Sequence, residues 1–74
     1  METERIISVS SDNQRYIFRY REGMEEQIVD EIIKVYQNPD NDFGKLELSL
    51  AVQQIGEKGW ENLKRYMIKR MGIN

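Results

Sequence analysis

The chain has 74 residues, a net charge of −2, and neither cysteine nor histidine. Without cysteine there is no disulfide, thiolate zinc site or cysteine nucleophile, and without histidine the usual general base near neutral pH is missing. We therefore expect one domain, residues 1-74, with no cofactor, no metal site and no enzymatic activity. The composition by itself does not identify a function.

The sequence gives no sign of a membrane segment. Its start, Met1 to Arg5, is acidic, whereas a secretory signal begins with a basic region. The longest uninterrupted apolar runs have three residues, against the roughly 20 of a transmembrane helix. We expect a cytoplasmic protein that does not contact membranes.

Charge is distributed unevenly along the chain. Residues 22–42 carry seven acidic residues and one lysine, whereas residues 43–74 carry six basic residues and three acidic ones. Two interpretations are open. The two blocks are solvated faces that lie near one another in the fold, which we favour, or the basic end binds an anionic partner.

A β-hairpin is predicted at the N-terminal end. Ile6–Val9 and Tyr16–Tyr20 are rich in β-branched and aromatic residues, and the polar residues 10–14 between them are typical of a turn. Because side chains alternate along a strand, the aromatic residues of the second segment should pack on helices. An isolated hairpin is marginally stable, so we expect either that the helices cover one of its faces well or that its exposed edge pairs with another chain and forms a larger sheet across a dimer.

The opposite face of the second strand carries three arginines. Arg15, Arg19 and Arg21 follow one another with the period of a strand, so they form a line that could hold phosphates or an acidic protein segment. The alternative, which we favour, is a solvated face balanced by Glu2 and Glu4 on the neighbouring strand.

Met24 to Gln37 is the clearest helix, because its apolar residues cover about half of the helix circumference. Pro39 ends it, since the residue before a proline is driven out of helical angles. Asn41 or Asp42 is expected to cap the next helix. Asp40 and Asp42 begin a calcium-like spacing, but the glycine and the final glutamate of such a loop are missing.

The stretch from Leu46 to Val52 is compatible with either a strand or a helix. Its leucines alternate as in a strand, but its composition favours a helix that continues to Ile55 and ends at Gly56. A helix here has two apolar faces, so we expect it to be sandwiched between layers.

A last helix is predicted after Gly59. Trp60, Leu63, Met67 and Met71 form its apolar stripe, and we expect Trp60 to share one core with the aromatic face of the hairpin. The predicted fold is therefore α+β, with an N-terminal two-stranded β-hairpin followed by three helices (ββααα).

The segment between the last two helices has the spacing Gly56-Glu57-Lys58-Gly59. Over Ile55–Tyr66 it resembles the GXXG loop of KH domains, in which two helices flank a loop whose backbone holds single-stranded nucleic acid. The resemblance implies that Gly56 and Gly59 allow a close approach of the nucleic acid and that Lys58 meets a phosphate. The alternative, which we favour, is a helix C-cap at Gly56 and a tight turn at Gly59.

Two functional hypotheses follow. The first is a small non-enzymatic protein-interaction module that binds a protein partner or itself, as a homodimer, because the hairpin edges are open and the chain is short. The second is a single-stranded nucleic-acid-binding protein that uses the glycine loop and the basic last helix. The residues of that candidate surface are Gly56, Lys58, Gly59, Lys64, Arg65, Lys69 and Arg70.

Overall fold

The computed structural model of the chain describes residues 3–70, which form two strands followed by three helices. The strands are β1 (Glu4–Ser10) and β2 (Arg15–Arg21), and the helices are α1 (Glu25–Gln37), α2 (Lys45–Ile55) and α3 (Glu57–Arg70). The predicted ββααα order is confirmed, including the helical assignment of residues 46–52. No helix within residues 3–70 combines the length and the hydropathy needed to cross a bilayer.

The two strands form an antiparallel hairpin with the aromatic side chains turned towards the helices. Ile7 lies opposite Phe18 and Val9 lies opposite Tyr16, and the Ser11 N–H donates to the Gln14 carbonyl across the turn. Phe18 and Tyr20 are buried, whereas Arg15, Arg19 and Arg21 are exposed. The predicted division of β2 into an aromatic and an arginine face is therefore confirmed.

The core lies where α1 and α2 pack on the inner face of the hairpin. α1 packs on β2, α2 packs on β1, and the two helices also contact each other. Their buried apolar side chains recur three and four residues apart, which places them on one face of each helix. These side chains are Ile28, Val29, Ile32 and Ile33 in α1 and Leu48, Ala51 and Val52 in α2.

The connection between α1 and α2 is anchored by Phe43, which is buried against the hairpin. Its ring contacts those of Tyr16 and Phe18 edge-on, with centroids 5.0 and 6.1 Å apart. α2 begins only after this anchor, with Gly44 as its N-cap residue. The Gly44 N–H donates to the Glu47 carboxylate (2.7 Å), so the predicted cap at residue 41 or 42 is wrong.

The second apolar face of α2 is exposed, contrary to the predicted sandwich. Leu46 is 67% exposed and Leu50 is 41% exposed, while Leu48, Ala51 and Val52 are buried. The physical reason is that β1, α1 and α3 all pack on one side of α2. Among the described residues nothing remains to cover the other side.

α3 contributes a single buried apolar side chain, Leu63, to the core. It packs on α1 and α2 and, within residues 3–70, makes no contact with either strand. Trp60, on the same helix, is 44% exposed, so the prediction that it shares a core with the hairpin is wrong. Met71, the last residue of the predicted stripe, lies outside the described residues.

The two edges of the hairpin differ. On the β1 side the Ser8 N–H donates to Gln54 Oε1 (3.2 Å), and Gln54 Nε2 donates to the Ser8 carbonyl (2.9 Å). The amide of Gln54 therefore pairs with the edge of β1 much as a neighbouring strand would, and it links α2 to the sheet.

Gln54→Ala is expected to destabilise the protein by about 1 kcal/mol, because two partly exposed hydrogen bonds are lost. Amide hydrogen exchange of Ser8 should become faster in the same variant, since its N–H loses its acceptor. Gln53→Ala, at the exposed neighbouring position, is the matched control and should leave both quantities unchanged. Unaltered exchange of Ser8 in Gln54→Ala would contradict the pairing.

Candidate functional site

The predicted glycine loop is not a loop. α2 ends at Ile55 and α3 begins at Glu57, so only Gly56 separates the two helices. Gly56 has φ +98°, and its N–H donates to the Val52 carbonyl (3.2 Å). This geometry confirms the predicted C-cap at Gly56, and a single residue with positive φ is sufficient to redirect the chain.

Gly59 serves helix packing and does not form the predicted tight turn. It is buried in the first turns of α3, against the end of α2. A Cβ atom at this position would lie 2.7 Å from Ile55 Cβ and 2.9 Å from the Val52 carbonyl oxygen. The glycine therefore permits a close contact between two helices, and the backbone cradle implied by the KH resemblance is not formed.

Three of the predicted basic residues lie along the acidic side of α1. Lys58 Nζ is 4.0 Å from the Glu25 carboxylate. Arg65 and Lys69 line a small cavity together with Glu26 and Asp30. The acidic and basic blocks of the sequence are thus neighbours in the fold, as we favoured.

The remaining predicted basic residues of α3 lie elsewhere. Lys64 borders a groove between α2 and α3, and Arg70 lies beside Tyr36 and Tyr66 at the other end of the helix. The structure therefore does not bring the seven residues of the predicted nucleic-acid surface together on one face.

The predicted arginine surface is kept together by the sheet. Arg15, Arg19 and Arg21 are all exposed on the outer face of β2, with the exposed Ile17 among them. Arg21 lies opposite Glu4 in the register, as the balanced-face interpretation expects, whereas Arg15 lies opposite Ser10.

A surface that the sequence did not indicate is an apolar groove of about 370 Å³ between α2 and α3. Trp60, Met67 and Ile68 border it and are 44%, 50% and 40% exposed. Ile68 gives the one sequence signal that could have revealed it, because it lies outside the predicted stripe and widens the apolar surface of α3. The residues that line this α2–α3 groove are Tyr36, Lys45, Leu48, Ser49, Trp60, Leu63, Lys64, Met67 and Ile68.

Glu25 is the one buried carboxylate of the described chain. It accepts a hydrogen bond from the Gly23 N–H (3.0 Å) and faces Lys58. The bond from Gly23 is the main cause that lowers the pKa of Glu25 below its ordinary value of 4.5, and it outweighs the opposing effect of burial. The ionised carboxylate of Glu25 therefore stabilises the turn between β2 and α1.

Glu25→Gln is expected to destabilise the protein by about 1 kcal/mol at neutral pH, because a charge-assisted hydrogen bond becomes a neutral one. A lowered folded-state pKa stabilises the fold above pH 4.5, and this contribution is lost as the pH falls through the folded value. The difference between wild type and variant, measured by urea unfolding, should therefore shrink on acidification. Glu26→Gln, at the exposed next position, is the matched control and should leave the stability at neutral pH close to that of the wild type.

Two surfaces thus remain as candidate sites, the α2–α3 groove and the outer side of β2. The first collects exposed apolar side chains, and the second collects exposed arginines. The spacing of Gly56 and Gly59 is explained by a helix cap and a helix contact. No family model, characterised protein or solved structure matches the chain.

Proposed function

We propose that the protein is a non-enzymatic protein-interaction module that associates with a second copy of itself through the α2–α3 groove. The observation that carries the proposal is the exposure of Trp60, Met67 and Ile68 around one groove. Tryptophan and methionine are enriched in protein interfaces, and a tryptophan near the centre of an interface often contributes most of the binding energy.

The length of the chain supports the same proposal. A chain of this size buries a smaller fraction of its surface on folding than a larger domain does, so association is a common additional source of stability. In the described structure α3 buries its Leu63 side chain but leaves Trp60 and Met67, on the same stripe, exposed to water. A second copy placed on the groove would remove those side chains from water without any change in the fold.

The charges of α3 suit an antiparallel arrangement of two copies. At 100° per residue, Glu57, Glu61 and Lys64 lie on the flank of α3 next to Trp60 and Met67. The acidic residues belong to the first half of the helix and the lysine to the second half. Two antiparallel copies of α3 therefore bring the acidic half of one against the basic half of the other.

The test is the molar mass in solution, measured by light scattering over a range of protein concentrations at low and moderate salt. The wild type is expected to form a dimer. The double variant Trp60→Ser/Met67→Ser should dissociate at least about tenfold more readily, because it removes the two largest exposed apolar side chains of the groove. Both positions are too exposed for the substitutions to unfold the monomer.

Leu46→Ser/Leu50→Ser is the matched control, since it removes two exposed apolar side chains from the outward face of α2. It should leave the dimer intact. If the control variant dissociates into monomers while the groove variant stays dimeric, the interface lies on the outward face of α2 and not at the groove. A wild type that stays monomeric at the highest concentration would contradict self-association altogether.

Binding of single-stranded nucleic acid stays a prediction with less support. The residues predicted to form the nucleic-acid cradle belong to the first turn of α3. The predicted basic residues lie on different sides of that helix. The absorbance ratio of the purified protein and titration with an oligonucleotide at low salt test it directly, because such binding weakens steeply as salt is added.

A further inference from the structure

The free edge of β2 is open, and its geometry follows from the hydrogen bonds around it. Both backbone groups of Ser8 point away from β2 towards Gln54, so Ser8 and its partner Ile17 form a pair without hydrogen bonds between them. The alternation of an antiparallel ladder then directs the N–H and C=O groups of Arg15, Ile17 and Arg19 away from β1. The Arg21 carbonyl agrees with this alternation, since it accepts from the Met24 N–H.

No described residue pairs with the outward backbone groups of Arg15, Ile17 and Arg19. Gln54 closes the β1 edge at Ser8. At its centre, the sheet can therefore be extended only on the β2 side. Beside this edge a groove of about 250 Å³ runs between β2 and α1 and is lined by Tyr20, Met24, Gln27 and Glu31, among others. An added strand would place every second side chain towards this groove.

The positive charges along β2 determine which kind of strand can be added to it. Arg15 and Arg19 flank Ile17 on the outer face and form no ion pair with any described residue. Side chains directly opposite each other on neighbouring strands attract when their charges differ and repel when they match. The pattern of β2 is therefore complementary to an extended segment in which an apolar residue is flanked, two positions away on each side, by acidic residues.

A second copy of β2 does not satisfy this pattern. A two-fold axis at residue 17 sets Arg15 opposite Arg19, an axis at residue 18 sets Arg15 opposite Arg21, and an axis at residue 19 sets Arg19 opposite itself. Each of the well-overlapped arrangements thus places like charges opposite each other. Natural sheets use such repulsion to prevent pairing between identical edges.

We propose that β2 binds an extended acidic segment of a partner protein by strand addition. The segment pairs antiparallel with Arg15, Ile17 and Arg19 through its backbone, its acidic side chains meet the two arginines, and its intervening side chains point to the groove beside α1. Backbone pairing supplies the affinity in this mode of recognition, and the alternating side chains supply the specificity.

The test uses an end-capped synthetic peptide with the order threonine, glutamate, threonine, valine, threonine, glutamate, threonine. Its binding to the full chain is followed by amide hydrogen exchange in NMR spectra. The free protein should show fast exchange at Arg15, Ile17 and Arg19 and slow exchange at Tyr16, Phe18 and Tyr20. Addition of the peptide should slow the first set selectively.

Two modified peptides separate strand addition from simple charge attraction. Replacement of both glutamates by lysine should weaken binding at least about tenfold. N-methylation of the valine and both glutamates, whose N–H groups would face β2, should weaken it as strongly while the charges stay the same. Equal binding of the N-methylated peptide would overturn the proposal in favour of a non-specific electrostatic contact.

The protein variant Arg15→Glu/Arg19→Glu completes the experiment. It changes two exposed side chains, so the fold should be retained. Its preference should be inverted, with the lysine peptide bound more tightly than the glutamate peptide. An unchanged preference, or the absence of binding by any peptide to the wild type, would also overturn the proposal. None of these readouts depends on the α2–α3 groove, so this test is independent of self-association.

Discussion

Phe43→Ala is expected to lower the free energy of unfolding by about 3–4 kcal/mol. The ring is only 4% exposed, and it fills the space between the hairpin and the start of α2. Its removal forfeits the transfer of a large apolar side chain out of water, leaves a cavity, and breaks the edge-on contacts with Tyr16 and Phe18. The measurement is urea-induced unfolding, which reports the free energy through the transition midpoint.

Leu46→Ala is the matched control for this prediction. The two positions are three residues apart, but Leu46 is 67% exposed, so its truncation should change the free energy of unfolding by less than about 0.5 kcal/mol. A total stability of roughly 4–11 kcal/mol is typical for a chain of this length, so the loss at Phe43 would be visible in the midpoint at once. Equal effects of the two substitutions would show that the ring of Phe43 is not buried in solution.

The elements that could be predicted are those whose pattern is local. The aromatic residues of β2 alternate with arginines, and a strand converts that alternation directly into one buried and one exposed face. In α1 the apolar residues repeat with the helical period, and Pro39 ends the pattern. In both cases the decisive information lies within a few residues of the element itself.

The predictions that failed concern relations between elements. Of the described residues in the predicted stripe of α3, only Leu63 is buried, and the stripe could not show that α1 and α2 would come between Trp60 and the hairpin. Likewise, the two apolar faces of α2 did not reveal that the other elements of the described chain cover only one of them. Whether an apolar face is covered depends on the placement of every other element, and no local pattern contains that information.

The candidate sites show the same limit. The basic residues of α3 are evident in the sequence, but their separation onto different sides is fixed by how α3 lies against α1 and α2. The three arginines of β2 lie on one face, as predicted, because a single strand carries all of them. The open β2 edge was predicted only in general terms, since the closure of the other edge depends on Gln54, which is far from Ser8 in the sequence.

The two proposed surfaces are compatible with each other. α3 makes no contact with the strands in the described chain, so a partner strand on β2 and a second copy on the α2–α3 groove would occupy different parts of the molecule. A dimer formed through the groove would then carry two β2 edges. Such an assembly would bind a partner with two acidic segments more tightly than one with a single segment, provided that the partner can span both edges.

Gly59→Ala is expected to lower the free energy of unfolding by about 2 kcal/mol, although the same change stabilises an exposed helix by about 1 kcal/mol. The new Cβ atom would lie 2.7 Å from Ile55 Cβ and 2.9 Å from both Ile55 Cγ2 and the Val52 carbonyl oxygen. These atoms belong to a β-branched side chain and to the backbone, so they cannot move aside without a shift of α3 relative to α2. Urea unfolding measures the change.

The sign of the effect at Gly59 decides between a helix contact and a loop. Gly44→Ala is the control, because a Cβ atom there would come closest, at 3.2 Å, to the end of the flexible Glu47 side chain. It should lower the stability by no more than about 1 kcal/mol, since alanine is a poorer N-cap residue than glycine but meets no rigid neighbour here. If Gly59→Ala proved stabilising, helix propensity alone would be acting, and α3 could not lie as close to α2 as described. If it left stability unchanged but abolished nucleic-acid binding, the glycine would serve a loop. A clear loss of stability is expected only where two helices approach too closely for any side chain.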